Sequence, residues 1–182
     1  MQHEVHGRRN LWWHLGPLAV ALLIIAADRA TKVLIQQRMT ALDSLSIIPG
    51  WLRIIHTENP GAAFGMLADG NPWLRTGILI GVSGLVLVFV ANALWSRRST
   101  FAGPLTRLAL AAIFGGAIGN LYDRIAYGTV TDFIEVYHGA WSFPAFNVAD
   151  SAITVGAMLF IVDLCRPGRK DIGEPAELAQ KQ

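Results

Sequence analysis

Cysteine, charge and metal-binding motifs are all scarce in this chain of 182 residues. A single cysteine, Cys165, excludes a small secreted scaffold stabilised by disulfides. Charged residues make up 15% of the chain and apolar residues 53%, whereas soluble domains carry about 25% charged residues. The five histidines lack metal-ligand spacing, and the sequence has no phosphate-binding loop or basic nucleic-acid patch. The sequence therefore predicts a single-domain membrane protein, without a metal or a nucleic acid among its expected partners.

Long apolar runs dominate what is present. A membrane-spanning helix needs roughly 20 apolar residues, because the hydrocarbon core of a bilayer is about 30 Å thick. Four segments reach that length, at about 11–35, 73–95, 101–122 and 145–165. We therefore predict an all-α membrane protein with four transmembrane helices, in a domain over residues 11–166. A short arm over 1–10 and a polar tail over 167–182 flank this domain.

The first span has an alternative interpretation. The N-terminal region resembles a cleaved secretory signal peptide, since it has two basic residues, Arg8 and Arg9, then an apolar run and then small residues that end at Ala27. The helical pattern continues beyond Ala27 as far as Lys32, one turn after Asp28, which favours a retained span.

The basic residues predict the orientation of the chain. One side of the membrane would hold the N-terminus, the 96–107 loop and the C-terminal tail. These segments carry nine cations and five anions, whereas the rest of the chain carries six cations and eight anions. Cytoplasmic loops are enriched in lysine and arginine. Both termini are therefore expected in the cytoplasm, with the segments 36–72 and 123–149 facing outward.

The outward-facing segments have patterns typical of short strands. Residues 45–48 and 51–55 flank a Pro-Gly turn, and residues 129–137 are rich in β-branched and aromatic side chains. A short helix is predicted over 62–67. We expect these segments to form ordered structure against the outer leaflet.

Polar residues near the span ends are candidate functional residues, because charge at membrane depth is costly. Asp28 and Lys32 lie one helical turn apart, so a structural salt bridge between them is expected. On the third span, small residues at every fourth position predict the close approach of another helix. Continuing the same four-residue spacing leads to Asn120, Asp123 and Arg124 at the outer boundary of the membrane. A functional role is predicted for these side chains, and the alternative is that they only solvate the end of the helix.

Two further carboxylates are the most informative residues. Asp132 shares one face of its predicted strand with three β-branched apolar residues, and burial among them is expected to raise its pKa. Asp150 lies near the start of the fourth span, three residues after Asn147, and helix capping is its alternative role.

Asp132 and Asp150 together predict a hydrolytic pair. Two desolvated carboxylates that share one proton supply an acid and a base, and so activate a water molecule for attack on an amide carbonyl. The alternatives are a proton relay in a small transporter and a pair of Mg²⁺ ligands in a lipid phosphoryl transferase. A dyad of Lys32 with Ser44 or Ser46 is a further alternative, which no spacing favours.

Five sequence blocks, in this order along the chain, resemble the lipoprotein signal peptidase (signal peptidase II) family. The blocks are Asp28-Arg-Ala-Thr-Lys32, Asn59-Pro-Gly-Ala-Ala-Phe64, Gly115-Gly-Ala-Ile-Gly-Asn120-Leu-Tyr-Asp-Arg124, Gly128-Thr-Val-Thr-Asp132-Phe and Phe146-Asn147-Val-Ala-Asp150. The resemblance covers about residues 15 to 165 and includes the first span.

The resemblance implies a role for each matching residue. Asp132 and Asp150 would be the catalytic dyad of an aspartic endopeptidase, and Asn147 would orient them. Residues that line the site and hold the substrate backbone would be Asn59, Asn120 and Arg124. Residues that support the architecture would be Asp28, Lys32 and Gly116.

The resemblance also implies a fold, a substrate and a location. Four transmembrane helices would carry a small extracytoplasmic β-cradle and a short periplasmic helix. The substrate would be a diacylglyceryl-modified prolipoprotein, cleaved just before its lipidated lipobox cysteine. The expected enzyme needs no cofactor, contacts membrane lipid, acts as a monomer and lies in the bacterial inner membrane with its site on the periplasmic side.

Overall fold

The computed structural model describes residues 3–61, 71–95 and 103–166, with side chains from Leu15 onward. The elements follow in the order α1 (His3–Arg38), β1 (Ser44–Ile48), β2 (Leu52–Asn59), α2 (Pro72–Trp95), α3 (Pro104–Tyr127), β3 (Val130–His138), β4 (Trp141–Ser142) and α4 (Val148–Leu164). The described part is thus a helical protein with a small antiparallel sheet. The predicted helix over 62–67 and the tail over 167–182 lie outside the described residues.

The four long helices coincide with the four predicted spans but differ from them at their ends. α1 begins at His3, within the predicted arm, and α3 continues to Tyr127, so that Asp123 lies inside the helix rather than beyond it. α4 begins only at Val148. The expectation that residues 145–147 already belong to this helix is wrong, because Phe146 pairs with Ile134 of β3 through backbone hydrogen bonds.

Two helices in the described ranges, α2 and α3, are long and apolar enough to cross a membrane by length and composition alone. α4 is shorter, with 17 residues. The second half of α1 contains four charged residues, Asp28, Arg29, Lys32 and Arg38, of which Asp28 and Lys32 are buried.

α3 is the central helix, because it packs against α1, α2 and α4, whereas α2 packs mainly on α3. Small residues make this arrangement possible. A methyl group on Gly115 would lie 2.8 Å from the carbonyl oxygen of Ala21 in α1, and one on Gly116 would overlap the carbonyl oxygen of Ala149 in α4. The predicted ridge of small residues therefore contacts two helices, one on each side.

The Gly116→Ala variant is expected to unfold at a lower temperature than the wild type. The new methyl group would meet Ala149 backbone and lie 2.9 Å from Ile153 Cγ1, and forced overpacking of this kind costs about 1–3 kcal/mol. Gly81→Ala on α2 is the matched control, because nothing lies within 4 Å of its added methyl group. Thermal unfolding of both variants in detergent measures the difference, and equal melting temperatures would contradict the tight α3–α4 contact.

The sheet has the strand order β1-β2-β3-β4, with antiparallel neighbours, which confirms the three predicted strands and adds β4. Gly128 in the left-handed region (φ 77°) ends α3, and its N–H donates to the carbonyl oxygen of Arg124. The chain therefore passes directly from α3 into β3. The register sets Thr57 opposite Asp132 and Asn59 opposite Val130, so the end of β2 lies beside the buried start of β3.

Candidate active site

Asp132 of β3 and Asp150 of α4 are brought together by Asn147. The side-chain amide of Asn147 donates to Asp132 Oδ1 at 2.7 Å, and its backbone N–H donates to Asp150 Oδ2 at 3.3 Å. Asp132 is 2% exposed and Asn147 is fully buried. One residue at the start of α4 thereby holds both predicted carboxylates.

Asp150 is also the capping residue of α4. The Asn147 side chain accepts from the backbone N–H of Asp150 at 2.9 Å, while the Asp150 carboxylate accepts from the backbone N–H of Asn147, which completes a reciprocal capping box. The alternative role predicted for Asp150 is therefore present in the structure. It leaves Oδ1 of Asp150 available to a second partner.

That second partner is Asn120 of α3, whose amide donates to Asp150 Oδ1 at 2.7 Å. The amide oxygen of Asn120 faces Lys32, which donates to it at 3.0 Å, and it also accepts from Asn147 at 3.2 Å. An ammonium group can only donate, so Lys32 fixes which end of the Asn120 amide faces Asp150. Lys32 thus sets the hydrogen bond that the Asp150 carboxylate receives.

Lys32 has three donors and three buried acceptors. Besides Asn120, its Nζ lies 2.8 Å from Asp28 Oδ2 and 2.7 Å from Asp123 Oδ2. The predicted Asp28–Lys32 salt bridge is confirmed. Solvation of the helix end, the alternative role for Asp123, is wrong, because this side chain is 1% exposed.

The same cluster ties three helices together. The second oxygen of Asp28 accepts from the backbone N–H of Ala149 at the start of α4, at 2.9 Å. The second oxygen of Asp123 accepts from Arg29 Nη1 at 3.0 Å. The ion pairs therefore join α1 to α3, and the hydrogen bond from Ala149 joins α4 to the same cluster.

Asn59, at the end of β2, reaches the site from the sheet. Its amide donates to Asp132 Oδ2 at 3.0 Å, and its amide oxygen accepts from the backbone N–H of Gly61 at 2.7 Å. Both oxygens of Asp132 therefore accept hydrogen bonds from amides. This contact places Asn59 beside Asp132, the residue that its sequence block was expected to accompany.

Burial raises the pKa of Asp132 to about 6. Hydrogen bonds from Asn59 and Asn147 and the charge of Lys32 act in the opposite direction, whereas the negative charge of Asp150 raises this pKa further. The predicted rise in the pKa of Asp132 is confirmed. The influence of Asp150 also shows that the two carboxyl groups lie within electrostatic range of one another.

Arg124, near the end of α3, lies within electrostatic range of both Asp132 and Asp150. Its guanidinium donates to the backbone oxygen of Asn120 at 3.3 Å and is half-buried. Gly116 lies one turn below Asn120 on α3, at the close contact with α4. The structure thus brings together every residue that the sequence blocks placed at the site or in its support.

Glu58 is a neighbour of the site that the sequence patterns did not single out. It accepts hydrogen bonds from Thr129, just before β3, at 2.7 Å, from Thr131 in β3 at 2.8 Å and from His56 at 3.1 Å. Burial would raise the pKa of Glu58, but these hydrogen bonds outweigh it and lower the pKa. The two threonines lie 71 and 73 residues from Glu58 in sequence, so no local pattern reveals these contacts.

The structure is thus a helical protein with a small antiparallel sheet, in which asparagine amides hold two carboxylates, the buried Asp132 and the half-buried Asp150. The sequence profile of the family described as signal peptidase (SPase) II matches residues 20–166, so the chain belongs to the signal peptidase II family. This confirms the resemblance found in the sequence blocks.

Named relatives and solved structures agree with this family. Lipoprotein signal peptidases of Solibacter usitatus and Desulforapulum autotrophicum are each 43% identical to this chain, covering 83% and 78% of it and 91% and 86% of their own lengths. A bacterial membrane enzyme solved in meso at 1.9 Å resolution superposes with a TM-score of 0.73 at 29% identity, over 84% of this chain and 94% of its own. A second, solved at 2.3 Å, has a TM-score of 0.74 at 28% identity, over 88% and 94%.

Proposed function

We propose that this protein is a membrane-embedded aspartic endopeptidase that removes signal peptides from diacylglyceryl-modified prolipoproteins. Cleavage falls just before the lipidated lipobox cysteine. The observation that carries the proposal is the position of Asn147, which donates to Asp132 through its side chain and to Asp150 through its backbone. Membership of the signal peptidase II family supports the same activity.

In the proposed mechanism Asp132 and Asp150 share one proton. The ionised carboxylate removes a proton from a water molecule, whose oxygen attacks the carbonyl carbon of the scissile amide, while the protonated carboxyl donates its proton to the carbonyl oxygen. Collapse of the tetrahedral intermediate breaks the C–N bond, and the amine leaves with a proton returned by the pair. Asn59, Asn120 and Arg124 line this site and hold the substrate backbone.

The proposed placement in the membrane follows from the substrate. A peptide bond tethered to a diacylglyceryl group lies at the membrane surface, so the carboxylates must lie there too. We place all four helices across the bacterial inner membrane, within the domain over 11–166, with both termini cytoplasmic and the sheet on the periplasmic side. The lipid supplies binding energy from a part of the substrate remote from the reacting bond, and a monomer suffices because one chain holds both carboxylates.

The test is cleavage by the purified full chain of a diacylglyceryl-modified prolipoprotein and of the same precursor without lipid, each with and without a chelator. We expect conversion to the mature band only for the lipidated precursor, unchanged by the chelator. Conversion that the chelator abolishes would favour metal-ligand carboxylates. No conversion by well-folded protein, together with proton-coupled uptake in vesicles, would favour the transporter.

The catalytic rate constant is expected to depend on pH in a bell-shaped manner. With the pKa of Asp132 raised to about 6, the shared proton is lost and the rate falls as pH rises through about 6. At lower pH a second proton neutralises the pair and the rate falls again. Single-turnover cleavage from about pH 4 to about pH 9 measures both limbs, and a flat profile would contradict a shared proton.

A further inference from the structure

Thr131 is a buried polar residue to which the proposed mechanism gives no role. The residue is 1% exposed. Its hydroxyl accepts a hydrogen bond from the side-chain amide of Gln36 at 2.7 Å and donates one to Glu58 Oε1 at 2.8 Å. Gln36 belongs to α1 and Glu58 to β2, so these three side chains, the threonine cluster, join both elements to the start of β3.

The threonine cluster lies on the face of the sheet opposite the carboxylate of Asp132. Successive residues of a strand point to opposite faces, so the side chains of Thr131 and Asp132 diverge. Glu58 stands opposite Thr131 in the strand register and directly precedes Asn59, whose amide donates to Asp132. Each strand residue of the cluster is therefore followed in sequence by a residue of the site.

The backbone pairing of β2 with β3 is irregular beside this cluster. The register shifts between Ile54 and Thr57, and a bulge of this kind interrupts the ladder of backbone hydrogen bonds. The carbonyl oxygen of Thr131 also accepts from the side-chain amide of Asn147 at 3.4 Å. The position of Thr131 therefore bears on both amides that hold Asp132, because Asn147 is the second of them.

We propose that Thr131 is a positioning residue for Asp132, through the hydrogen bonds that its hydroxyl makes to Gln36 and Glu58. These bonds hold the start of β3 where the interrupted ladder does not. They keep the Asp132 carboxylate within hydrogen-bond reach of Asn59 and Asn147. The inference rests on the proposed function, since the role that it assigns to Thr131 is a role in that reaction.

The proposal predicts a shift of the pH profile in one direction. Burial raises the pKa of Asp132 to about 6, against the lowering effect of the hydrogen bonds from Asn59 and Asn147. Weakening these bonds raises this pKa further, so the pair keeps its shared proton to higher pH. The basic limb of the rate profile should therefore move to higher pH, which a loss of stability alone would not cause.

The first test compares Thr131→Val, which keeps the shape and removes the hydroxyl, with Thr131→Ser, which keeps the hydroxyl. We expect Thr131→Val to lower kcat by about 10- to 100-fold, because a misplacement of about 1 Å can cost about 10²-fold. KM should stay nearly unchanged, and the basic limb should move to higher pH. Thr131→Ser should match the wild type. The reverse order, a slow serine variant and an active valine variant, would show a packing role and overturn the proposal.

A second pair of variants tests the strand contact without changing Thr131. Glu58→Ala removes the acceptor of its hydroxyl. Glu135→Ala is the matched control, because Glu135 is also a carboxylate that joins β3 to β2, through Arg53, but neither of these two residues is next to a site residue in sequence. We expect only Glu58→Ala to reproduce the shift of the basic limb. The same shift in both variants would indicate a general loosening of the sheet and contradict a specific role.

A measurement without substrate separates this inference from the proposed function. The infrared band of the protonated Asp132 carboxyl, identified by its loss in Asp132→Asn, is followed against pH in the wild type and in Thr131→Val. We expect the band to persist to higher pH in Thr131→Val, and identical titrations would overturn the positioning role. A shifted titration in a protein that cleaves no lipidated precursor would refute the proposed function alone.

Discussion

Replacement of either Asp132 or Asp150 with asparagine is expected to lower the cleavage rate by about 10³-fold or more, since general acid–base groups contribute about 10²- to 10⁴-fold. Each substitution removes an ionisable group of the proposed pair while keeping nearly the same shape. The lost hydrogen-bond acceptor destabilises the fold slightly. Removing a desolvated carboxylate at Asp132 offsets this, so we expect near-normal melting temperatures.

The matched control for these variants is Asp43→Asn. Asp43 is an exposed carboxylate whose hydrogen bonds within the described ranges all come from the nearby Thr40. Single-turnover cleavage of the lipidated precursor is compared for all three variants, with thermal unfolding as the test of folding. The dyad would be refuted by a well-folded Asp132→Asn or Asp150→Asn variant that cleaves as fast as Asp43→Asn.

The second large effect is expected for Lys32→Met. This change leaves the carboxylates of Asp28 and Asp123 buried without their shared cation. Breaking a buried ion pair by removing one partner costs about 3–5 kcal/mol. At roughly 2–4 °C per kcal/mol for a chain of this size, the melting temperature falls by about 10 °C. The Asn120 amide also loses the donor that fixes its orientation, so any protein that still folds should cleave slowly.

Two further variants identify the cause of that loss. The double variant Asp28→Asn/Lys32→Met removes one of the two buried carboxylates that lose their cation. We expect it to recover part of the lost stability. Arg53→Met breaks an ion pair in which the arginine side chain is 37% exposed and that of Glu135 is 11% exposed, so it removes a partly solvated partner of one carboxylate rather than a buried cation shared by two, and we expect a smaller loss of stability. A melting temperature equally lowered in Arg53→Met and Lys32→Met would contradict the special role of the buried cluster.

Local sequence patterns predicted the elements well. Composition and periodicity were sufficient to predict features that depend on residues a few positions apart. These features are the helices, the strands at 45–48, 51–55 and 129–137, and the Asp28–Lys32 pair. The start of α4 was predicted too early because apolar residues before Asn147 are equally typical of a helix and of a strand. Only the backbone pairing of Phe146 with Ile134 distinguishes them.

The site depended on contacts that no local pattern contains. Lys32 and Asn120 are 88 residues apart, and Asn59 and Asp132 are 73 apart. The residue types indicated chemistry, and the family resemblance assigned their roles, but which oxygen each amide faces is a property of the folded chain. Helix capping by Asp150 leaves a catalytic role open, because one carboxylate has two oxygens and only Oδ2 accepts from the backbone of Asn147.

The position of the Lys32 partners has a consequence for biosynthesis. α1 is made first, yet two of the three acceptors of Lys32, Asn120 and Asp123, belong to α3, and α2 packs mainly on α3 rather than on α1. A nascent chain that has released only α1 and α2 therefore has no helical hairpin to close. Its lysine is left with Asp28 alone until the ribosome has made the end of α3. The buried ion cluster is therefore completed only when α3 has been made, and the bundle assembles around its third helix.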